Sequence, residues 1–472
     1  MRVFIVVIFI SMLIHCGGQQ VEEQKNRIQP YTENPRYWQY KNEPVLLLGG
    51  TKEDDLFQMV QFEGHLDSLT ACGGNYIRNT MSSRNVNSDI DRASGRVKPF
   101  HKLEEKYDLD KWNPEYWQRF EKLLQATAER DIIVQVEIWA FHDFNKPFWK
   151  DNPWRPANNV NYDTVSTTLT NGSIDIGEVQ HHFFFSIPSA LDDEVLLSYQ
   201  KKFVDKLLDT SLDYDNVLYC ITNEIHPAYP KAWSEFWAKY VHEKAAEQNR
   251  KVKVTEMFWQ PDFTSGQHDP SFSQPGLFTF FEASQNSANS GSRNGDMLRT
   301  IYQRLSGHPR PINNVKIYGS DQSPSWANRA VNAQRRFWRN IFCGSASSRF
   351  HRPPVGIGLN AAAQTHIKSM RLFAIAVNIY TARPDVEDKL LLDRNKDEAY
   401  LLYAPDQFYA IYFPAAGAVE LDLTQATGEY QMQWLQITSS SWLDPKTIQA
   451  GQHITLETPG EEMSVVVIKK SS

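Results

Sequence analysis

The chain has 472 residues, a formal net charge of −7 and 41% hydrophobic residues, enough for a large buried core and more than one domain. It has no basic run, which excludes the Lys and Arg phosphate contacts by which nucleic acids are held. Aromatic residues make up 12% of the chain, and their flat faces with polar tips suit either a large core or a cleft in which rings stack.

Met1-Arg2 followed by the apolar run from Val3 to Ile14 predicts a secretory signal over residues 1–16, too short to span a membrane. Its end, Leu13-Ile14-His15-Cys16-Gly17-Gly18, resembles a bacterial lipoprotein cleavage site, which implies lipidation of Cys16. His15 departs from the small residue usual there, so ordinary secretion is the alternative. The expected location is the bacterial outer membrane or cell surface, or the periplasm or medium, with membrane contact only through the lipid anchor. Residues 17–29 read as a polar tether. Cys72, Cys220 and Cys343 have no paired spacing, so they read as buried free thiols rather than a disulfide framework or metal pair.

Short apolar runs alternate with helical periodicity from there on. Val45 to Gly50 reads as a first strand, Leu56 to Thr70 as a helix and Asn75 to Met81 as a second strand. Asn113 followed by Pro114 and Glu115 marks a helix start, with Trp117, Phe120, Leu124 and Ala128 along one face. Ile132 to Trp139 is a third strand, and Glu194 to Leu208 a helix with Val195, Tyr199, Phe203 and Leu207 as its inner stripe. Asn216 to Glu224 is a fourth strand, followed by a helix over Ala232 to Glu247. Val252 to Trp259, Leu277 to Ser284, Ile312 to Gly319 and Ser347 to Arg352 complete a set of eight strands.

This order predicts an α/β fold, a (β/α)8 TIM barrel over residues 30–393. The long segment 141–193 would lie over its catalytic face. After Arg394 short alternating runs separated by Gly, Asp and Pro predict a C-terminal antiparallel β-sandwich domain over 394–472.

Such barrels carry their working groups at the carboxyl ends of the strands. The polar and aromatic residues falling there are Arg78, Glu137, Trp139, Asn223, Glu224, Glu256 and Trp259, then Glu282, Gln285, Lys316, Tyr318, His351 and Arg352. Unpaired carboxylates inside apolar strands are costly, so Glu137, Glu256 and Glu282 point to an acid/base site or to buried ion pairs. Neither Ser-His-Asp order nor metal-ligand spacing is present, and no metal or organic cofactor is expected. His181-His182 has no partner at ligand spacing.

Asn223-Glu224 at the end of the fourth strand resembles the signature of the TIM-barrel retaining glycoside hydrolase clan. The resemblance implies two-carboxylate cleavage of glycosidic bonds, with Glu224 as acid/base, Asn223 on the sugar 2-hydroxyl and Arg78 positioning a nucleophile. Asn34-Pro-Arg-Tyr-Trp-Gln-Tyr and Val45-Leu-Leu-Leu-Gly-Gly resemble, more narrowly, the opening of apiosidase-like hydrolases. Tyr409-Ala-Ile-Tyr-Phe-Pro and Val419-Glu-Leu-Asp-Leu resemble the collagen-binding-type β domain appended to them, a label that carries no function here. The implied partner is a polysaccharide or its oligosaccharide fragments.

One departure stands out. The clan's nucleophile is a Glu ending strand seven, whereas this chain reads Asn313-Asn314-Val315-Lys316-Ile317-Tyr318-Gly319. The second carboxyl is then Glu282, or Glu256, or Asp321, or it is missing. A missing one would leave a non-catalytic surface glycan-binding lipoprotein on an inactivated barrel. Trp139 and Trp259 are candidates for ring stacking or for packing. Lys316 is a candidate for binding an anionic sugar or for holding a Glu ionised.

Overall fold

The structure, a computed structural model, describes residues 26–471 except 60, 83, 85–94, 147, 176–179 and 323–327. The expected signal segment and Cys16 lie outside the described residues.

Eight short parallel strands form the centre: β1 (Leu47–Gly50), β2 (Tyr76–Thr80), β3 (Ile133–Ala140), β4 (Val217–Ile225), β5 (Val254–Phe258), β6 (Phe281–Glu282), β7 (Ile312–Asn313) and β8 (Ser347–Phe350). Six of them pair in the order β5-β4-β3-β2-β1-β8, and β6 pairs with β7. The sheet is curled. Thr279 N donates to the Val254 carbonyl at 2.8 Å on one side of the β6–β7 pair, and His351 N donates to the Ile317 carbonyl at 3.1 Å on the other. Every residue of β3 and β4 is buried, as a parallel sheet covered on both faces requires. At Gly49 an added Cβ would stand 1.8 Å from the Tyr76 carbonyl oxygen, so only glycine lets β1 and β2 approach there.

Among the described residues the helices of nine residues or more are α1 (Glu63–Ala71), α2 (Pro114–Ala128), α3 (Glu194–Ser211), α4 (Lys231–Glu247), α5 (Gly291–Arg304), α6 (Ala330–Phe342) and α7 (Ala361–Ala376). The expected start of α2 holds: the Asn113 side chain accepts from Glu115 N at 3.1 Å, with Pro114 in the first turn. Asp193 caps α3 in the same way by accepting from Leu196 N at 3.0 Å. The inner face of α3 is Leu196, Phe203, Val204, Leu207 and Leu208, whereas Val195 is exposed, because the cap at Asp193 sets the phase of the first turn. The expected helix over Leu56 to Thr70 is divided into a 3-10 turn (Leu56–Gln58) and α1.

The C-terminal strands form two antiparallel sheets. The larger runs through Arg383–Pro384, Tyr400–Ala404, Phe408–Phe413, Ser464–Lys470, Glu429–Gln436 and Ser441–Trp442, and the smaller is made by Leu391–Leu392, Ala418–Asp422 and His453–Glu457. Alternation along the strands gives each sheet an inner face. Leu401, Ile411, Val466 and Ile468 share one core with Val419, Leu421 and Leu456. Arg383–Pro384 and Leu391–Leu392 already pair into these sheets, so the β unit begins before the expected residue 394.

The opposite face of the larger sheet packs on α6 and α7. The Tyr412 ring lies 5.8 Å from Trp338 and 5.6 Å from Phe342, and Arg339 pairs with Asp397 at 2.9 Å. The unit therefore braces the helices. Cys72, Cys220 and Cys343 are buried free thiols.

Candidate active site

A cleft of about 630 Å³ opens beyond the carboxyl ends of the strands, and all of its lining residues precede residue 356. Its centre is Glu224, next to last in β4. The regular strand is interrupted at this residue, whose φ of 68° lies in the left-handed region that a side-chain-bearing residue adopts only at a cost.

The Glu224 carboxylate is fully engaged. Its Oε1 accepts from Lys316 Nζ at 2.5 Å, Gln285 Nε2 at 2.8 Å and Tyr318 OH at 3.0 Å. Its Oε2 lies 2.9 Å from His142 Nε2. Lys316 Nζ also donates to the Asn223 side-chain oxygen. The expected pair Asn223-Glu224 thus faces the cleft, joined through a lysine that follows β7.

Burial by itself would raise the pKa of the Glu224 carboxyl, but Lys316 and His142 outweigh it and hold the group well below its ordinary value. Glu224 is therefore ionised. Burial pulls Lys316 below its ordinary value, aided by the nearby Arg78 and opposed by Glu224.

Asp54, after β1, is the other carboxylate lining the cleft. It accepts from Arg352 Nε at 2.8 Å and lies 3.3 Å from Arg78 Nη1 and 3.5 Å from His351 Nδ1. Burial opposes its ionisation, but Arg78 and Arg352 prevail and keep its pKa well below the ordinary value. Burial in turn drives the His351 pKa well below its ordinary value, leaving a neutral ring.

Of the residues expected at the site, Asn223, Glu224, Trp259, Gln285, Lys316 and Tyr318 line this cleft, as do His351 and Arg352. Trp259 is 38% exposed and offers a ring face. The remaining expected residues lie elsewhere.

Glu282 is buried below the cleft, where it accepts from Gln135 Nε2 at 2.8 Å and Ser284 N at 2.9 Å. Glu256 is buried with its Oε1 accepting from Thr222 N at 2.9 Å and Met257 N at 2.8 Å. Burial pushes the pKa of each of these two carboxyls up to about 7. Glu137 and Arg78 pair with each other at 2.6 Å, fully buried, and Arg78 reaches the cleft only through Asp54.

Trp139 does not reach the cleft. It is 2% exposed, and its ring lies 5.2 Å from Phe203 of α3, 5.5 Å from Trp237 of α4 and 5.3 Å from Phe183. Those aromatic partners take up the ring, and burial of its large surface outweighs what exposure in the cleft would offer.

Asp54, Arg84 and His142 line the cleft without having been singled out from the sequence. Asp54 and Arg84 lie in no strand or helix, and His142 lies in a 3-10 turn (Phe141–Phe144), so no strand end marked them. His142 alone had a signal, since it stands three residues beyond Trp139 at the start of the long segment after β3. Arg84 pairs with Asp143 at 3.0 Å. Asp321, weighed as a second carboxyl, pairs with Arg329 at 3.5 Å, is 62% exposed and does not line the cleft. Among the described residues no group of three His, Cys, Asp or Glu side chains is arranged to hold a metal ion.

Residues 90–257 match the model of a domain of unknown function, DUF6298. No curated protein matches the sequence. Among solved structures the chain is similar to a glycoside hydrolase family 5 from Bacteroides vulgatus, with 13% identity, 95% of this chain and 94% of that chain covered, and a TM-score of 0.63. It is similar to a mutant of the glycoside hydrolase family 5 mannosidase from Rhizomucor miehei, with 11% identity, 74% and 98% coverage and a TM-score of 0.51. A noncanonic maltogenic alpha-amylase from Thermotoga neapolitana matches with 9% identity, 90% and 99% coverage and a TM-score of 0.51. At these identities the likeness is one of fold alone.

Proposed function

We propose that the protein is a glycoside hydrolase that cleaves a polysaccharide or its oligosaccharide fragments in the cleft around Glu224. The observation that carries this reading is the Asn223-Glu224 pair at the end of β4, with its carboxylate set in a cleft beside an exposed Trp259 ring. The fold shared with glycoside hydrolases adds support. Glycosidic cleavage passes through an oxocarbenium-like transition state, and fixed anions facing the anomeric carbon stabilise the charge that develops there. Glu224 and Asp54 supply those anions. Glu282 and Glu256 stay out of the reaction as buried groups.

The narrower resemblance of residues 34–50 and of the C-terminal strands to apiosidase-like hydrolases and their appended β domain belongs to the same proposal. So do the TIM barrel closed through β6 and β7, the sandwich formed by the C-terminal sheets, and export with lipidation at Cys16.

A second reading is favoured by one observation. After β7 the chain presents Lys316 and Tyr318 to the cleft and, among the described residues, no carboxylate, and a cleft with Glu224 locked in an ion pair suits a surface glycan-binding protein. Product release from a panel of plant and algal polysaccharides and oligosaccharides, by wild type and by Glu224→Gln, separates the two. Release that is lost in the variant is the expected result. Undiminished release by Glu224→Gln overturns the role of Glu224, and binding of one glycan without release establishes the second reading.

A further inference from the structure

The two oxygens of Glu224 do different work. Oε1 accepts from three donors, Lys316, Gln285 and Tyr318, whereas among the described residues Oε2 meets only His142 Nε2, at 2.9 Å. An ionised carboxylate has no proton to offer, so the proton in that contact sits on Nε2, and Nδ1 is the ring nitrogen left for another partner. Among the described residues Nδ1 makes no hydrogen bond. The His142 side chain is 31% exposed, lines the cleft and lies 5.4 Å from the Trp259 ring, centroid to centroid.

We propose that His142, held by Glu224, is the proton carrier of the reaction. This rests on the reading of the cleft as a glycosidase site. The imidazolium gives its Nδ1 proton to the glycosidic oxygen as the bond from that oxygen to the anomeric carbon breaks. Water then adds to the anomeric carbon, and its proton returns to Nδ1, so the ring ends as it began and water is the only co-reactant. Glu224 keeps the Nε2 proton in place and stabilises the charged ring, the part a buried carboxylate plays beside a catalytic histidine. The charged and titratable groups around the ring are Glu224 in contact, Lys316 on the far oxygen of Glu224, Arg84 in the same cleft and His226 beyond Trp259.

Acid assistance matters most when the leaving group is poor. His142→Gln is therefore tested on an oligosaccharide and on a nitrophenyl glycoside of the same sugar. Turnover of the oligosaccharide falls by about a hundredfold or more, the scale of general acid catalysis. Turnover of the aryl glycoside falls by less than about tenfold, because its leaving group departs without a proton. Should His142→Gln fold poorly, His142→Gly with and without added imidazole serves instead, with rescue as the expected result. Equal losses on both substrates or absent rescue overturns the assignment alone. Wild type that cleaves neither substrate overturns the hydrolase reading and this assignment with it.

Discussion

The cleft and the strand-lined interior beneath it both hold glutamates from the central strands, and their fates are opposite. Glu224 faces the cleft, ionised by Lys316 and His142, whereas Glu256 and Glu282 lie in the interior and hold their protons up to about pH 7. All three are buried. What separates them is a cation within hydrogen-bond reach: Glu224 has Lys316 at 2.5 Å, while Glu282 is met by neutral donors from Gln135 and Ser284. A buried carboxyl in this fold is thus ionised only where a cation lies within reach of it. The two tryptophans repeat the contrast, with Trp139 inside and Trp259 at the cleft.

The largest effect expected on stability comes from the interior. Trp139→Ala destabilises the fold by about 4 kcal/mol, within the range for truncating a buried aromatic, and denaturant unfolding measures it. A loss under about 1 kcal/mol would place the ring outside the core.

The interior carboxyls come next. With its pKa about 7 in the fold and 4.5 ordinarily, Glu282 binds a proton in the native state that the unfolded chain has released. Stability therefore falls as pH rises between those values and is level above them, by at most about 3 kcal/mol for this one group. Glu282→Gln removes that fall, so unfolding free energies compared at about pH 4 and about pH 8 differ less in the variant than in wild type. An unaltered difference would mean that Glu282 is ionised in the fold.

The smallest effect concerns Trp259. Trp259→Ala leaves stability within about 0.5 kcal/mol, as for exposed positions. It raises KM or weakens glycan binding by about 1 kcal/mol, the scale of a ring contact. Unchanged affinity would remove Trp259 from the binding face.

The regular half of the fold was legible in the sequence. The continuous apolar runs of β3 and β4 lie within one residue of where periodicity set them, because both faces of these strands are covered. Strands six and seven were expected to be eight residues each and are two, since side-chain and backbone bonds through Ser284, Asn313 and Asn314 replace the ladder there. In the cleft, residues at strand ends were found by position alone. Asp54, Arg84 and His142 were not, because none of them lies in a strand whose end would have marked it. Sequence also left open whether Lys316 binds ligand or holds a Glu ionised. In the structure its Nζ lies 2.5 Å from Glu224 while it also lines the cleft.

The contrast between cleft and interior is tested most directly by turnover of Glu224→Gln, Glu256→Gln and Glu282→Gln on one glycan that wild type cleaves. The expected result is a loss of about a thousandfold or more for Glu224→Gln, or about 4 kcal/mol of transition-state stabilisation, with wild-type kcat in the other two. Loss of turnover in a well-folded Glu282→Gln or Glu256→Gln protein, with Glu224→Gln still active, would contradict it.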